Sequence, residues 1–231
     1  MAWFSRFNHL HRFDRSLTMH TRLHSIALFF VVFATAVSVG AEETPLTLDL
    51  QIRNRTGAVK TTRELWLPSR TAVIVCDMWD LHTSPNAVIR EGEMAPRMNR
   101  VLEKVRAAGA LVIHAPSGCM EAYEGTPARE RALTAPAAAR IPHQIGEWCK
   151  LLPAEEGAVY PIDQSDGSND DDPEKKATWT AQLVAKGVDP KAPWTRQIDV
   201  LRIDQEKDAI SDSGIEIWNL LESRDIDNVI L

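Results

Sequence analysis

The chain has 231 residues, of which 44% are hydrophobic and 25% charged, with 26 Lys and Arg against 32 Asp and Glu. These proportions are close to those of globular proteins, and they exclude a wholly disordered, collagen-like or disulfide-stapled chain. The formal net charge of −6 offers no basic surface for nucleic acid. The length suits one domain, with or without an extension.

The first 41 residues are predicted to be an N-terminal extension with a signal peptide. An uncharged run at 26–40 follows Arg22, and Val39-Gly40-Ala41 closes it with small residues. A basic start, a short apolar core and a small-x-small exit are typical of a secretory signal, whereas a membrane-spanning helix needs about 20 apolar residues. We therefore expect an exported protein, periplasmic or secreted, with no stable membrane span after signal cleavage. Membrane anchoring by an uncleaved signal is the alternative.

The remaining sequence is more acidic than the whole chain and poor in histidine. Without residues 1–41 it has 22 basic and 31 acidic residues, a net charge of −9, and only three His. Three His argue against a His-rich metal centre, and no metal or other cofactor is predicted. Because Cys76, Cys119 and Cys149 make an odd count, at least one thiol is unpaired. Cys119 and Cys149 could form a disulfide in an oxidising compartment, and the sequence leaves this open.

The mature sequence alternates predicted strands and helices. Continuous apolar runs at 71–76, 110–115 and 228–231 are typical of central parallel strands that helices cover on both faces. A weaker strand is predicted at 198–203. This alternation indicates an α/β protein with a mainly parallel sheet and right-handed crossovers.

Two helices are predicted between these strands. The first has apolar residues at helical spacing over 98–105, and Gly109 is placed to end it. The second has an apolar stripe over 215–221. Asp212 or Ser213 could cap its N-terminus, and Ser213 could form a capping box with the glutamate three residues later.

A long insert, from about 116 to 197, separates the two strand–helix–strand units. It is rich in Pro, Ala and charge, with helical fragments predicted at 127–132 and 179–185. The insert is interpreted as a surface excursion, and a lid over a pocket is the alternative. The chain is therefore divided into three parts, which are the extension and signal at 1–41, a mature N-terminal segment at 42–66 and one domain at 67–231.

The acidic run at 163–176 within the insert was tested as a calcium-binding loop. When Gly167 is aligned with the invariant glycine of an EF-hand, Ile162 and Pro173 fall at the first and last ligand positions. Neither residue supplies a carboxylate, so the sequence predicts no calcium site there.

Asp77 is the first candidate for chemistry, because it directly follows the predicted strand at 71–76. Ligands of open parallel sheets bind beyond the carboxyl ends of the strands. Asp77 could be a catalytic base, a metal ligand with Asp80 and His82, or a helix cap. A phosphatase of the haloacid dehalogenase type would need a second Asp two residues on, where Trp79 stands instead.

Lys207 is the second candidate, because it follows the predicted strand at 198–203 and precedes the helix near Ser213. An Asp and a Lys at one edge of a sheet form an ion pair that can position and polarise a third group. The alternative is a solvated loop lysine among acids.

Three stretches resemble the isochorismatase-like cysteine hydrolases, a family that includes nicotinamidases and carbamoylsarcosine amidases. They are AVIVCDMWDLH at 72–82, RMNRVLEKVRAAGALVIHAPS at 97–117 and EKDAISDSGIEIWNLLESRDIDNVIL at 206–231. The similarity covers about 67–116 and 198–231, and it leaves the insert uncovered.

The resemblance implies a three-layer α/β/α sandwich and a catalytic triad. Asp77 maps to the family's base and Lys207 to its electrostatic partner. The nucleophilic cysteine follows the family's next strand, which begins here at Asn228. We therefore expect the domain to be C-terminally incomplete in this chain, with its nucleophile beyond Leu231. The implied function is an exported hydrolase of a small amide, ureide or similar C–N bond.

The candidate substrate contacts are Trp79, His82 and His114. Trp79 stands where the family often has Gln, so a nicotinamide-like substrate is not implied, and its ring could either stack on a planar substrate or pack internally. His114 lies at a strand end, and a hydrogen-bonded structural role is its alternative. The expected partner is a small-molecule substrate, and a homo-oligomer is possible.

Two other functions are kept as alternatives. The first is a non-catalytic exported α/β binding module that has the fold without the chemistry. The second, with less support, is a vinyl-ether-cleaving or phosphatase-like enzyme.

Overall fold

The computed structural model describes residues 43–54, 56–147 and 172–231. The described part is a mixed α/β protein. Its strands are β1 (Leu46–Arg53), β2 (Val59–Trp66), β3 (Thr71–Cys76), β4 (Leu111–Ala115), β5 (Ala209–Ile210) and β6 (Asn228–Ile230). Its α-helices are α1 (Pro85–Ala108), α2 (Pro127–Leu133), α3 (Pro173–Ala185) and α4 (Gly214–Ser223). The signal predicted at 1–41 and most of the acidic run lie outside the described residues.

A four-stranded parallel sheet forms the centre of the described chain, in the order β5-β4-β3-β6. Val73 of β3 pairs with Val112 of β4 on one side and with Ile230 of β6 on the other. The apolar runs predicted as β3, β4 and β6 are thus confirmed. The carboxyl ends of the four strands meet at one edge of the sheet.

Helices pack against alternate residues of the central strands. Ile74 of β3 belongs to an apolar cluster that includes Leu220 of α4. Its neighbour Val75 belongs to a second cluster, with Leu102 of α1. Successive side chains of a strand point to opposite faces, so both faces of β3 are buried, as its continuous apolar sequence predicts.

The ends of the two long helices follow the predicted signals. Gly109 ends α1 in the left-handed conformation, with φ of 102°. Ser213 caps α4, and its hydroxyl accepts a hydrogen bond from the Glu216 amide at 3.4 Å. The capping box is only half formed, because the Glu216 carboxylate pairs with Arg129 instead of returning to Ser213.

The prediction of a strand at 198–203 is wrong. This segment is a turn, closed by the hydrogen bond from the Leu201 amide to the Ile198 carbonyl. The Asn99 side chain of α1 bonds the Val200 carbonyl at 2.7 Å and the Arg202 amide at 2.9 Å. The apolar residues of the segment anchor this turn on α1, and the strand of this region, β5, begins later at Ala209.

The N-terminal segment at 42–66 contains an antiparallel hairpin that the sequence analysis did not predict. Leu46 pairs with Trp66 and Arg53 with Val59, so β1 and β2 match over their full length. The Asn54 side chain closes the turn by accepting the Thr56 and Ala58 amides.

Two predicted helical fragments of the insert are present. They correspond to α2 and to α3, which begins earlier than predicted because Asp172 caps it. None of the helices within the described ranges has the length and apolar character needed to cross a bilayer.

Candidate functional site

Asp77 stands at the carboxyl edge of the sheet, where β3 ends. Its backbone is in the left-handed region with φ of 49°, which is uncommon for a residue other than glycine. The Asp77 amide donates to the Ala115 carbonyl at 3.2 Å, and its carboxylate accepts the Ser117 amide at 3.0 Å. These two bonds join the exits of β3 and β4 and hold the carboxylate at the sheet edge.

Two further carboxylates tie loops to the same edge. Asp212, after β5, accepts the Gly118 amide at 2.9 Å. Asp80 accepts the Thr195 amide at 2.9 Å, the Thr195 hydroxyl and the Arg196 amide. Asp80 therefore binds the end of the insert, which favours a structural role over the phosphatase or metal roles considered for it.

Glu91 of α1 is a fourth acid in this region. Burial, together with the negative charges of Asp77 and Asp80, raises the pKa of Glu91 to about 7, although a hydrogen bond from the Trp79 backbone amide acts to lower it. Its Oε2 atom is buried without a hydrogen-bond partner among the described residues. Such an oxygen favours the protonated carboxyl, so Glu91 can hold a proton beside Asp77.

Three aromatic rings stack beside these acids. The rings of Trp79 and Trp194 are 4.5 Å apart with planes 15° from parallel, and His82 stacks on Trp79 at 5.8 Å. The Trp79 indole donates to the Ser117 carbonyl at 3.1 Å. His82 accepts the Ser84 amide at 3.0 Å. Trp79 therefore packs against His82 and Trp194, and Trp194 lines a cleft. The substrate contact of Trp79 stays a prediction.

The cleft has a volume of about 340 Å³. It lies beside the β4 exit, between residues 118–121 and Trp194-Thr195, and Glu121 is part of its wall. Gly118 is required there, because its φ is +73° and an added Cβ would lie 3.2 Å from Nε1 of Trp194. A space of this volume is large enough for a small-molecule ligand.

Neither described cysteine is an activated nucleophile. Burial raises the pKa of the Cys76 thiol to about 12, with a further contribution from Asp77. Burial also raises the pKa of Cys119 to about 12, together with the charges of Asp80, Asp212 and Asp77. A nucleophilic cysteine needs the opposite environment. Cys119 forms no disulfide with a described residue, and its predicted partner Cys149 lies outside the described residues.

His114 is fully buried, so it cannot contact a ligand in the cleft. Its Nδ1 lies 2.7 Å from Oε1 of Gln197, and its Nε2 lies 3.0 Å from the Asp208 carboxylate. Asp208 also pairs with Arg106 at 2.6 Å. Although burial opposes ionisation, the hydrogen bonds from His114 and Arg106 lower the pKa of Asp208. The structure thus favours the structural alternative for His114.

Lys207 and Asp77 lie at opposite edges of the parallel sheet. Lys207 precedes β5, whereas Asp77 follows β3, and the two strands run parallel in one sheet. Entrances and exits of parallel strands lie at opposite edges. The prediction that Lys207 lies at a strand exit is therefore wrong, and its side chain is exposed. Its catalytic role stays a prediction from the resemblance.

The sequence analysis missed three residues of this region. Asp208 follows Lys207 directly and bonds the side chains of His114 and Arg106. In the sequence, a single Asp in an acidic loop does not indicate a buried residue. Glu91 occupies a helical position where an exposed acid is ordinary. Trp194 lies more than a hundred residues from Trp79 in the chain, so only tertiary structure unites them.

The comparisons with known proteins assign no family. A scan against protein-family models found no match to the chain, and a search of curated proteins found none either. Within the described ranges, no group of three or more His, Cys, Asp or Glu side chains is arranged to hold a metal ion.

Proposed function

We propose that this chain carries the base of an isochorismatase-like hydrolase, exported from the cytoplasm, that cleaves a small amide, ureide or similar C–N bond. The observation that carries the proposal is Asp77, a carboxylate in left-handed backbone at the exit of a central parallel strand, held by one backbone amide. The family's three-layer α/β/α sandwich belongs to the proposal, supported by the packing of α1 and α4 on alternate residues of β3.

The register of β6 agrees with a nucleophile that follows this strand, as the resemblance implies. Ile230 pairs with Val73 in parallel, so residues that continue β6 would run alongside β3 toward Asp77. In the proposed reaction Asp77 takes the thiol proton, and the thiolate attacks the carbonyl carbon. The C–N bond then breaks, the amine leaves with a proton, and water hydrolyses the thioester.

The proposal is tested on the protein from the complete reading frame, with a panel of small amides and ureides. We expect Asp77→Asn to lower kcat/KM by about 100-fold or more, the usual effect of removing a general base. Glu103→Gln is the matched control, because Glu103 lies on the exposed side of α1 and pairs with Arg202. Normal turnover by Asp77→Asn would refute the assignment.

A non-catalytic binding module is the second candidate function. The raised pKa values of Cys76 and Cys119 favour it, because neither thiol can supply the nucleophile at neutral pH. This candidate predicts ligand binding without release of amine by the wild-type protein. Amine release that Asp77→Asn abolishes would exclude it.

A further inference from the structure

We propose that the cleft of residues 118–121 and 194–195 binds an organic cation, an alkylammonium or guanidinium group, and that this group is part of the substrate. Only the second part, that the cation belongs to the substrate, rests on the proposed function, because binding alone does not require hydrolysis. The inference follows from an aromatic wall and a surplus of negative charge in the same place.

The aromatic wall is Trp194, which Trp79 supports from one side. Their rings stack at 4.5 Å, and the Trp79 indole is fixed by its bond to the Ser117 carbonyl. Gly118 leaves the approach to Trp194 open, because a side chain there would meet Nε1 of the indole. Among aromatic side chains, tryptophan attracts a cation over its ring face most strongly.

The negative charge comes from carboxylates that have no cationic partner among the described residues. Asp77, Asp80 and Asp212 each accept backbone amides, and none of them forms an ion pair with a described residue. All three raise the pKa of the Cys119 thiol, which lines the cleft, so their charges act there. Glu121 adds a fourth carboxylate in the wall itself.

The guanidinium of Arg196, a residue beside Asp80, does not pair with these carboxylates. Arg196 gives its backbone amide to Asp80, but its guanidinium pairs with Asp199 at 3.0 Å. The interaction of a charged ligand with a carboxylate is stronger near a protein surface than in bulk water, because the effective dielectric constant is lower. These carboxylates would therefore repel an anionic substrate and attract a cation.

The test measures equilibrium binding to the full chain by tryptophan fluorescence and by calorimetry. The probes are choline against its neutral isostere 3,3-dimethylbutan-1-ol, and methylguanidinium against methylurea. We expect at least one cation to bind about tenfold more tightly than its isostere, with affinity falling as salt rises. Equal affinity of cation and isostere in both pairs would overturn the proposal.

Variants locate the binding. Trp194→Leu should weaken binding of the cation by about tenfold, while Trp194→Phe keeps an aromatic face and should recover part of the loss. Asp212→Asn should reduce both the affinity and its dependence on salt. Trp66→Leu, in β2, is the matched control and should leave the affinity unchanged. Cation binding that survives Trp194→Leu undiminished would place the ligand elsewhere and overturn the assignment.

The two proposals fail in distinguishable ways. Cation binding that is lost in Trp194→Leu, without release of amine from any substrate, supports the cleft and contradicts the hydrolase. Asp77-dependent hydrolysis of neutral and cationic amides with equal kcat/KM supports the hydrolase and contradicts the cation as part of the substrate.

Discussion

Glu91 is an acid whose surroundings oppose its ionisation. Its carboxyl lies close to Asp77 and Asp80, and one of its oxygens is buried without a partner. The contrast with Asp208 is informative, because Asp208 is more deeply buried yet pairs with Arg106 and His114. Burial alone therefore does not decide protonation here: Asp208 has a cationic partner in Arg106, whereas the charges that act on Glu91 are the negative ones of Asp77 and Asp80.

Glu91→Gln should change how stability depends on pH. The pKa of Glu91 is raised from 4.5 to about 7, so the folded state binds the proton more tightly than the unfolded chain. The contribution of Glu91 to the free energy of unfolding is therefore fully present below about pH 4.5 and is lost as the pH rises through 7. Glutamine cannot ionise. At about pH 8 we therefore expect the free energy of unfolding of the variant to exceed that of the wild type by on the order of 1 kcal/mol, allowing for solvent screening.

The measurement is urea unfolding at about pH 5 and about pH 8, for the wild type and the variant. Glu93→Gln is the control, because Glu93 is an exposed acid on the same helix. If the free energies of unfolding of the wild type and Glu91→Gln change in parallel with pH, Glu91 does not hold the proton.

At the scale of elements, the sheet topology makes a prediction about Lys207. Lys207 enters β5, while Asp77 leaves β3 at the opposite edge of the parallel sheet. The resemblance makes Lys207 a catalytic residue, whereas this topology predicts that Lys207→Ala keeps kcat/KM within about twofold of the wild type, as for an exposed substitution outside the site. Steady-state kinetics beside Asp77→Asn would measure this. A loss of about 100-fold would instead place Lys207 in the reaction.

The elements that the sequence predicts well are those whose pattern is local. The β3 residues are apolar on both faces because helices bury both, and this produces a continuous apolar run that is hard to mistake. Gly109 and Ser213 end and begin helices through bonds to residues nearby in the chain. Such signals lie within one window of sequence, so a single chain suffices to find them.

The predictions that failed depend on distant partners. The segment 198–203 is rich in the β-branched and apolar residues of a strand, but Asn99 of α1 bonds its backbone as a turn. The predicted pairing of Asp77 with Lys207 required Lys207 to follow a strand at 198–203, and the structure has no strand there. The β1–β2 hairpin is a different case, because Leu46, Leu48 and Leu50 alternate visibly in the sequence and predict a strand.

At the scale of the whole molecule, the surplus of acids agrees with the proposed ligand. Residues 42–231 carry 22 basic and 31 acidic residues, so the mature part has a net negative charge. A field of this sign draws cations toward the protein and raises their association rate at low salt. The local charge of the cleft would then act on ligands that the whole molecule has already concentrated.

The last prediction concerns residues 1–41. The apolar run at 26–40 is shorter than a bilayer requires, and Val39-Gly40-Ala41 offers small residues for cleavage. We expect the exported protein to begin at Glu42, as intact mass and N-terminal sequencing of the extracytoplasmic fraction would show. Ala41→Phe should block processing, because the bulky side chain does not fit a small-residue position. Full-length protein that stays in the membrane fraction would establish the uncleaved anchor instead.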